Sequence, residues 1–170
     1  MESSSSYKTF GINYGIIFGA YSILVLLLSY VLNFSRENWG FSLVNFIITI
    51  GIAGYAVYSF RKNNALQLSI GQAVKIGLIV GAIGGLIYAV YMYIHYTMVD
   101  TAFIETMKED AMKAVEESSK GQPKEEVEMA KKITAITASP FIIATVTLIG
   151  VLIKTVLVGL VAGFIFRNER

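Results

Sequence analysis

Cysteine is absent from this chain, histidine occurs once and proline twice, and these scarcities narrow the chemistry before any pattern is sought. Without cysteine there is no disulfide, no thiolate nucleophile and no cysteine-bound metal. The single histidine, His95, excludes a metal site built on paired histidines. No glycine loop carries the lysine that would cradle a phosphate, and neither a nucleophile elbow nor a metalloprotease helix motif is present. The long apolar stretches contain no Asp or Glu, which argues against an intramembrane protease. The chain therefore reads as a non-enzyme, with no catalytic residue, metal ligand or cofactor assigned. Its formal net charge of +2 is too small to imply a nucleic-acid partner.

What is abundant is apolar sequence. Hydrophobic residues make up 55% of the chain, above the roughly 45–50% of soluble domains. They concentrate in four stretches, Phe10–Leu32, Gly40–Phe60, Ala73–Val99 and Pro140–Phe166. Each supplies the roughly 20 residues that a helix rising 1.5 Å per residue needs to cross a hydrocarbon core about 30 Å thick. Backbone amides cannot stay unpaired in lipid, so the stretches must span as helices. The expected fold is all-α: an integral membrane bundle of four transmembrane helices in a single domain, 1–170, with an extramembrane helical hairpin over 100–139.

The start, Met1–Lys8, lacks the small-residue cleavage pattern of a secretory signal, so the first span is expected to be a retained anchor. Arg61 and Lys62, with Lys75 just beyond, make the connection between spans two and three basic, whereas Asn33–Trp39 carries only Arg36. Lys8, Arg167 and Arg170 add positive charge at the termini. The positive-inside rule then puts both termini and the Arg61–Gln72 turn in the cytoplasm and Asp100–Ser139 outside. Within that long connection, Phe103, Met107, Ala111 and Ala114/Val115 recur at helical spacing, with Glu109–Lys113 and Glu116–Lys120 as i,i+4 pairs. Gly121-Gln122-Pro123 interrupts the pattern, and Val127, Ala130, Ile133 and Ile136/Thr137 mark a second amphipathic helix. The acidic residues Asp100, Glu105, Glu109, Asp110, Glu116 and Glu117 lack the alternation and glycine of a calcium loop, and read as a solvated face.

Inside the spans a few residues do not fit a plain hydrocarbon helix. Gly11, Gly15 and Gly19 in span one, Gly77, Gly81 and Gly85 in span three, and Gly159 and Gly163 in span four recur every fourth residue. That spacing clears one helix face for close packing in lipid. It serves packing within the bundle or association with a second copy, and its recurrence admits a duplicated hairpin. Tyr88, Tyr91, Tyr93, His95 and Tyr96 crowd the end of span three, as expected of an interfacial aromatic belt.

Lys154 is the sharpest anomaly, about 18 Å from the nearer end of its span at 1.5 Å per residue. An ammonium near the midplane costs several kcal/mol. Three readings stand: an anion or lipid headgroup bound in a hydrated pocket, a lysine kept uncharged by desolvation, or a tilted helix whose lysine snorkels to the surface. Tyr21, Thr49 and Tyr88 are the polar groups at similar depth that would share a pocket with it. Candidate partners are membrane lipids, a second copy of the chain or another membrane protein. The two function classes in view are a non-catalytic accessory component that binds a partner through the hairpin, and a small transporter or lipid- or anion-binding subunit that uses Lys154.

Three segments carry a resemblance: Tyr14-Gly15-Ile16-Ile17-Phe18-Gly19, Leu68-Ser69-Ile70-Gly71-Gln72-Ala73-Val74-Lys75-Ile76-Gly77 and Asp100-Thr101-Ala102-Phe103. With these the chain resembles, over nearly its whole length, a bacterial four-span membrane family catalogued as domain of unknown function 4199. The resemblance implies a bacterial cytoplasmic (inner) membrane and one complete domain. It implies no activity and no binding residue.

Overall fold

The computed structural model describes residues 6–32, 39–121 and 123–167; Arg36, Gln122, Asn168 and Arg170 lie outside them. Every element among the described residues is helical. In chain order they are α1 (Tyr7–Val31), α2 (Trp39–Asn63), α3 (Ile70–Ile94) with a π-helical turn at His95–Val99, α4 (Thr101–Ser118), α5 (Lys124–Thr137) and α6 (Pro140–Phe166). The four long apolar helices match the expected spans, with ends that overrun the apolar stretches.

Local chemistry explains the overruns. α2 continues through Arg61 and Lys62, whose charge suits the partial negative end of a helix. α3 opens three residues before Ala73 because Ser69 and Gln72 form a reciprocal capping box. The Ser69 N–H donates to Gln72 Oε1 at 2.9 Å, and the Gln72 N–H donates to Ser69 Oγ at 3.2 Å. Between the two helices the chain reverses through Ala65 and Leu66, at φ of 48° and 61°. The turn closes with the Leu66 N–H on the Arg61 carbonyl at 3.0 Å and the Gln67 N–H on the Asn64 carbonyl at 2.8 Å.

The chain divides into two compact units, residues 1–89 with 147–170, and residues 90–146. In the first, α1 is antiparallel to α2, with edge-on ring pairs Phe10–Phe60 at 5.7 Å and Tyr14–Tyr55 at 5.8 Å. α1 lies parallel to α3: a Cβ placed at Gly11, Gly15 or Gly19 would meet Ile79, Ile83 or Ile87 in turn, at 2.7–2.9 Å. Gly77, Gly81 and Gly85 of α3 turn to α6, against Thr155, Leu152 and Leu148 in descending order, so that pair is antiparallel. Gly159 and Gly163 complete the seam against Ala73 and Ile70. α2 and α6 run parallel, joined at Thr49–Lys154, Gly54–Val158 and Tyr58–Phe166. The ring order is thus α1–α2–α6–α3. The first ladder receives isoleucine side chains and the Val80 and Gly84 carbonyls of α3, whereas the second receives backbone at Gly77, the Thr155 hydroxyl at Gly81 and the Leu148 and Val151 side chains at Gly85.

Phe18, Val57, Phe60, Ile76 and Val80 fill the interior of this unit, each 0–1% exposed. No more than 44% of the most apolar window of any span is buried. Ile16, Ile17, Leu24, Val161 and Ile165 are among the many large apolar side chains left outside. Apolar surface on that scale requires lipid, and the chain is a multi-pass membrane protein.

In the second unit a π-helical turn ends α3, with the Asp100 N–H on the His95 carbonyl at 2.8 Å, and His95 and Tyr96 are both buried. The His95 ring lies 5.8 Å from Tyr91 and 5.4 Å from Tyr96, and Tyr96 stacks on Phe103 at 4.9 Å. These residues form an internal aromatic cluster where a surface belt was expected; only Tyr93 of the group is exposed. Asp100 caps α4 by accepting the Phe103 N–H at 3.3 Å. α4 and α5 form the hairpin, linked by Lys131 to Glu116 at 2.5 Å, while Lys113 approaches Asp110 at 3.8 Å. These pairs replace the expected Glu109–Lys113 and Glu116–Lys120, because α5 alongside offers Glu116 a better-placed cation. The apolar pattern of α5 also splits. Val127, Ala130 and Thr134 turn inward, while Met129, Ile133 and Ile136 stay 55–65% exposed.

Candidate functional site

Lys154 is carried by α6, and its neighbour Thr155 points to a different helix. Thr155 is buried on α3 against Gly77 and Gly81, with its hydroxyl returned to the Val151 carbonyl at 3.0 Å. One residue back, Lys154 projects toward α2 and α1. Its ammonium donates to Thr49 Oγ1 at 3.1 Å, and the Thr49 hydroxyl donates onward to the Phe46 carbonyl at 3.0 Å. The Nζ also lies 5.4 Å from the centroid of the Phe18 ring. Thr49 and Phe18 are themselves buried, at 3% and 1% exposure, and the lysine is half-buried.

Each partner is held by its own element. Phe18 fits because Gly84 has no side chain: a Cβ there would sit 2.9 Å from Phe18 Cδ1. The Ser22 hydroxyl satisfies the Phe18 carbonyl at 2.8 Å, one turn along. Thr49 lies 14 residues from the Asn63 end of α2, and Lys154 lies 12 from the Phe166 end of α6. Since α2 and α6 run parallel, the ammonium reaches across the bundle at its own depth, and not along the helix toward the basic end.

The contacts of Lys154 offset the cost of placing it there. Insertion of a lysine at the helix centre costs about 2.5–3.5 kcal/mol. A hydrogen bond to a charged donor recovers about 1.5–3 kcal/mol, and a desolvated cation–π contact up to about 2. The two contacts are thus the size of the cost. They occupy one of three ammonium N–H groups, and no carboxylate lies in any span to take the others.

Among the residues expected to share this pocket, the structure joins Thr49 to Lys154. Tyr21 is half-buried on α1 and is not a partner of the ammonium, and Tyr88 is half-buried on α3, one turn beyond Gly84. Phe18 is the member that sequence reasoning missed. Its signal was there to find, as the large aromatic residue set directly before Gly19 in the α1 ladder. No group of three or more potential metal ligands occurs among the described residues.

Four apolar helices around a polar contact in mid-bundle define a helical multi-pass membrane protein with an intramembrane lysine. More particularly, the family model of DUF4199, described as a protein of unknown function, matches residues 13–168, and the chain belongs to that family. No curated protein and no solved structure matches it.

Proposed function

We propose that the protein is a non-catalytic membrane component that holds an anionic ligand or lipid headgroup at Lys154, as a small binding or transport subunit. The observation that carries this reading is the direction of the lysine. Its ammonium turns into the bundle toward Thr49, where a snorkelling side chain would turn to the surface. The two remaining N–H groups are then available to an anion, in a medium where each such bond is strong. Lys154→Met keeps the bulk of the stem and removes the charge. Native mass spectrometry of both proteins after matched gentle extraction tests the reading: an anionic species retained by the wild type should be lost from the variant. Identical lipid and ligand profiles would refute it.

A second reading, an accessory component that docks another membrane protein or a second copy, draws on the hairpin. Met129, Ile133 and Ile136 leave an apolar stripe on one face of α5. Ile133→Glu should then reduce the mass of the assembly seen by light scattering in mild detergent; an unchanged mass would count against docking there. For either role we propose a bacterial cytoplasmic membrane with both termini on the cytoplasmic side, from the basic α2–α3 turn. Cysteines introduced at Ser4 and at the exposed Ser118 should differ in labelling by an impermeant thiol reagent on intact cells, with the second alone reacting.

A further inference from the structure

We propose that a groove between α1 and α3, which Lys154 does not line, binds one anionic phospholipid. Its phosphate would rest on Lys8 and Lys75 and an acyl chain along the helix seam. The groove has a volume of about 480 Å³, within the roughly 300–1,000 Å³ range of small-molecule sites. It exists because Ile79 and Ile83 are drawn into the Gly11 and Gly15 notches, which leaves a furrow beside the seam floored by these isoleucines. Ile12, Leu78 and Ala82 form its walls.

Its two ends differ in chemistry. Tyr7, Lys8 and Lys75 line one end. The parallel packing of α1 and α3 brings these residues to the same level. The Lys75 ammonium bends over the Tyr7 ring, 5.6 Å from its centroid, and so toward the start of α1, where Lys8 stands. Among the described residues neither lysine has a carboxylate partner. From Lys75 the groove runs to Ile83, about 12 Å along the helix, and everything lining that length is apolar. Two cations at one end of an apolar channel of membrane depth match an amphiphile with a negative head. A free anion would leave the channel unused, and a zwitterionic lipid carries no net charge for two lysines to hold. Lys75, at five residues into α3, lies about 7.5 Å from the helix start, at headgroup depth.

The test uses the full chain in detergent, with phosphatidylglycerol or phosphatidylcholine of equal acyl composition titrated and adducts counted by native mass spectrometry. Beyond any species that Lys154→Met releases, the wild type should hold one phosphatidylglycerol with about thirty-fold preference over phosphatidylcholine, the size expected of two lysines near an anionic headgroup. Lys8→Gln with Lys75→Gln should abolish the preference, and Lys75→Arg should keep it. Ala82→Phe, which fills the channel and spares both lysines, should abolish retention of the lipid as well. Thermal unfolding of each variant checks that it is folded. Lys154→Met should retain this one phosphatidylglycerol with the same preference, which separates the groove from the site in mid-bundle. Equal retention of the two lipids by the wild type would overturn the proposal. So would phosphatidylglycerol retention that survives Ala82→Phe, which would indicate surface charge alone. Displacement of the lipid by inorganic phosphate would also overturn it, as it would mark a free-anion site.

Discussion

The same substitution, glycine to alanine, should have opposite signs at two positions of this bundle. At Gly77 a new Cβ would land on the Thr155 carbonyl oxygen, 3.1 Å from its carbon and 3.3 Å from the Gly159 Cα. All three atoms are backbone of α6, so no side chain can rotate aside and the two helices must separate. At Gly51 of α2 nothing lies within 4 Å. Overpacking of a tight interface costs about 1–3 kcal/mol, and rigid backbone on the far side puts Gly77→Ala near the top of that range. Alanine returns up to about 1 kcal/mol of helix propensity at either site. The net expectation is a loss of about 2 kcal/mol at Gly77 and a gain of up to about 1 at Gly51. For a chain of this size, 2 kcal/mol corresponds to a fall of about 4–8 °C in Tm. Thermal unfolding in one detergent, followed by monodispersity after heating, measures both variants beside the wild type. A Gly77→Ala protein as stable as wild type would refute the close α3–α6 approach. Equal losses at both positions would show that glycine matters here for helix flexibility and not for contact.

Further expectations test other contacts. Thr49→Val removes the acceptor of the Lys154 ammonium and should destabilise the bundle by about 1.5–3 kcal/mol. Thr49→Ser should cost much less, and Lys154→Met should rescue Thr49→Val in a double-mutant cycle; additive losses would mean that the two side chains do not interact. Ala65→Gly places glycine at a φ of 48° in an exposed turn and should stabilise by about 1 kcal/mol, read as a higher Tm; a lower Tm would count against the left-handed turn. The hydrogen bond and charge of Lys131 hold the Glu116 carboxyl below its ordinary range. The contribution of this pair is therefore full above the unfolded carboxyl pKa of about 4.3 and is lost as pH falls through the lowered folded value. Amide exchange across α4 and α5 should quicken in that acid window, and Lys131→Met should remove the effect.

What the sequence disclosed and what it withheld follow from the solvent. Lipid and bundle interior are equally apolar, so polarity marks where a span lies but not which way it is turned. Phe10–Leu32 and Pro140–Phe166 were therefore legible as helices to within a turn, whereas the inward setting of Phe18, Val57 and Val80 was not. The overruns at α2 and α3 had readable causes in Arg61-Lys62 and in the Ser69–Gln72 box. The π-helical turn at His95–Val99 left no such sign, whereas His95 and Tyr96, placed in an expected surface belt, are buried because they continue the inward face of Met92 at helical spacing.

Small residues are the one class whose pattern speaks of rotation in lipid, because they mark where backbones can meet. The spacing of Gly11, Gly15 and Gly19 and of Gly77, Gly81 and Gly85 was visible at once. Spacing names a face and never its occupant, and here one ladder takes a row of isoleucines while the other takes backbone at Gly77, a hydroxyl at Gly81 and leucine and valine side chains at Gly85. Gly51 and Gly150 look no different in sequence yet meet nothing. Lys154 was conspicuous for the same reason in reverse, as the residue whose placement costs most. Its cost fixed its importance, but its partner depended on the rotation of α2 and α6, which only the packing supplies. Lys75 is the converse case. It looked ordinary because lysines near span ends are common, and it gains meaning only when the parallel setting of α1 and α3 brings it level with Tyr7 and Lys8 at the mouth of an apolar groove.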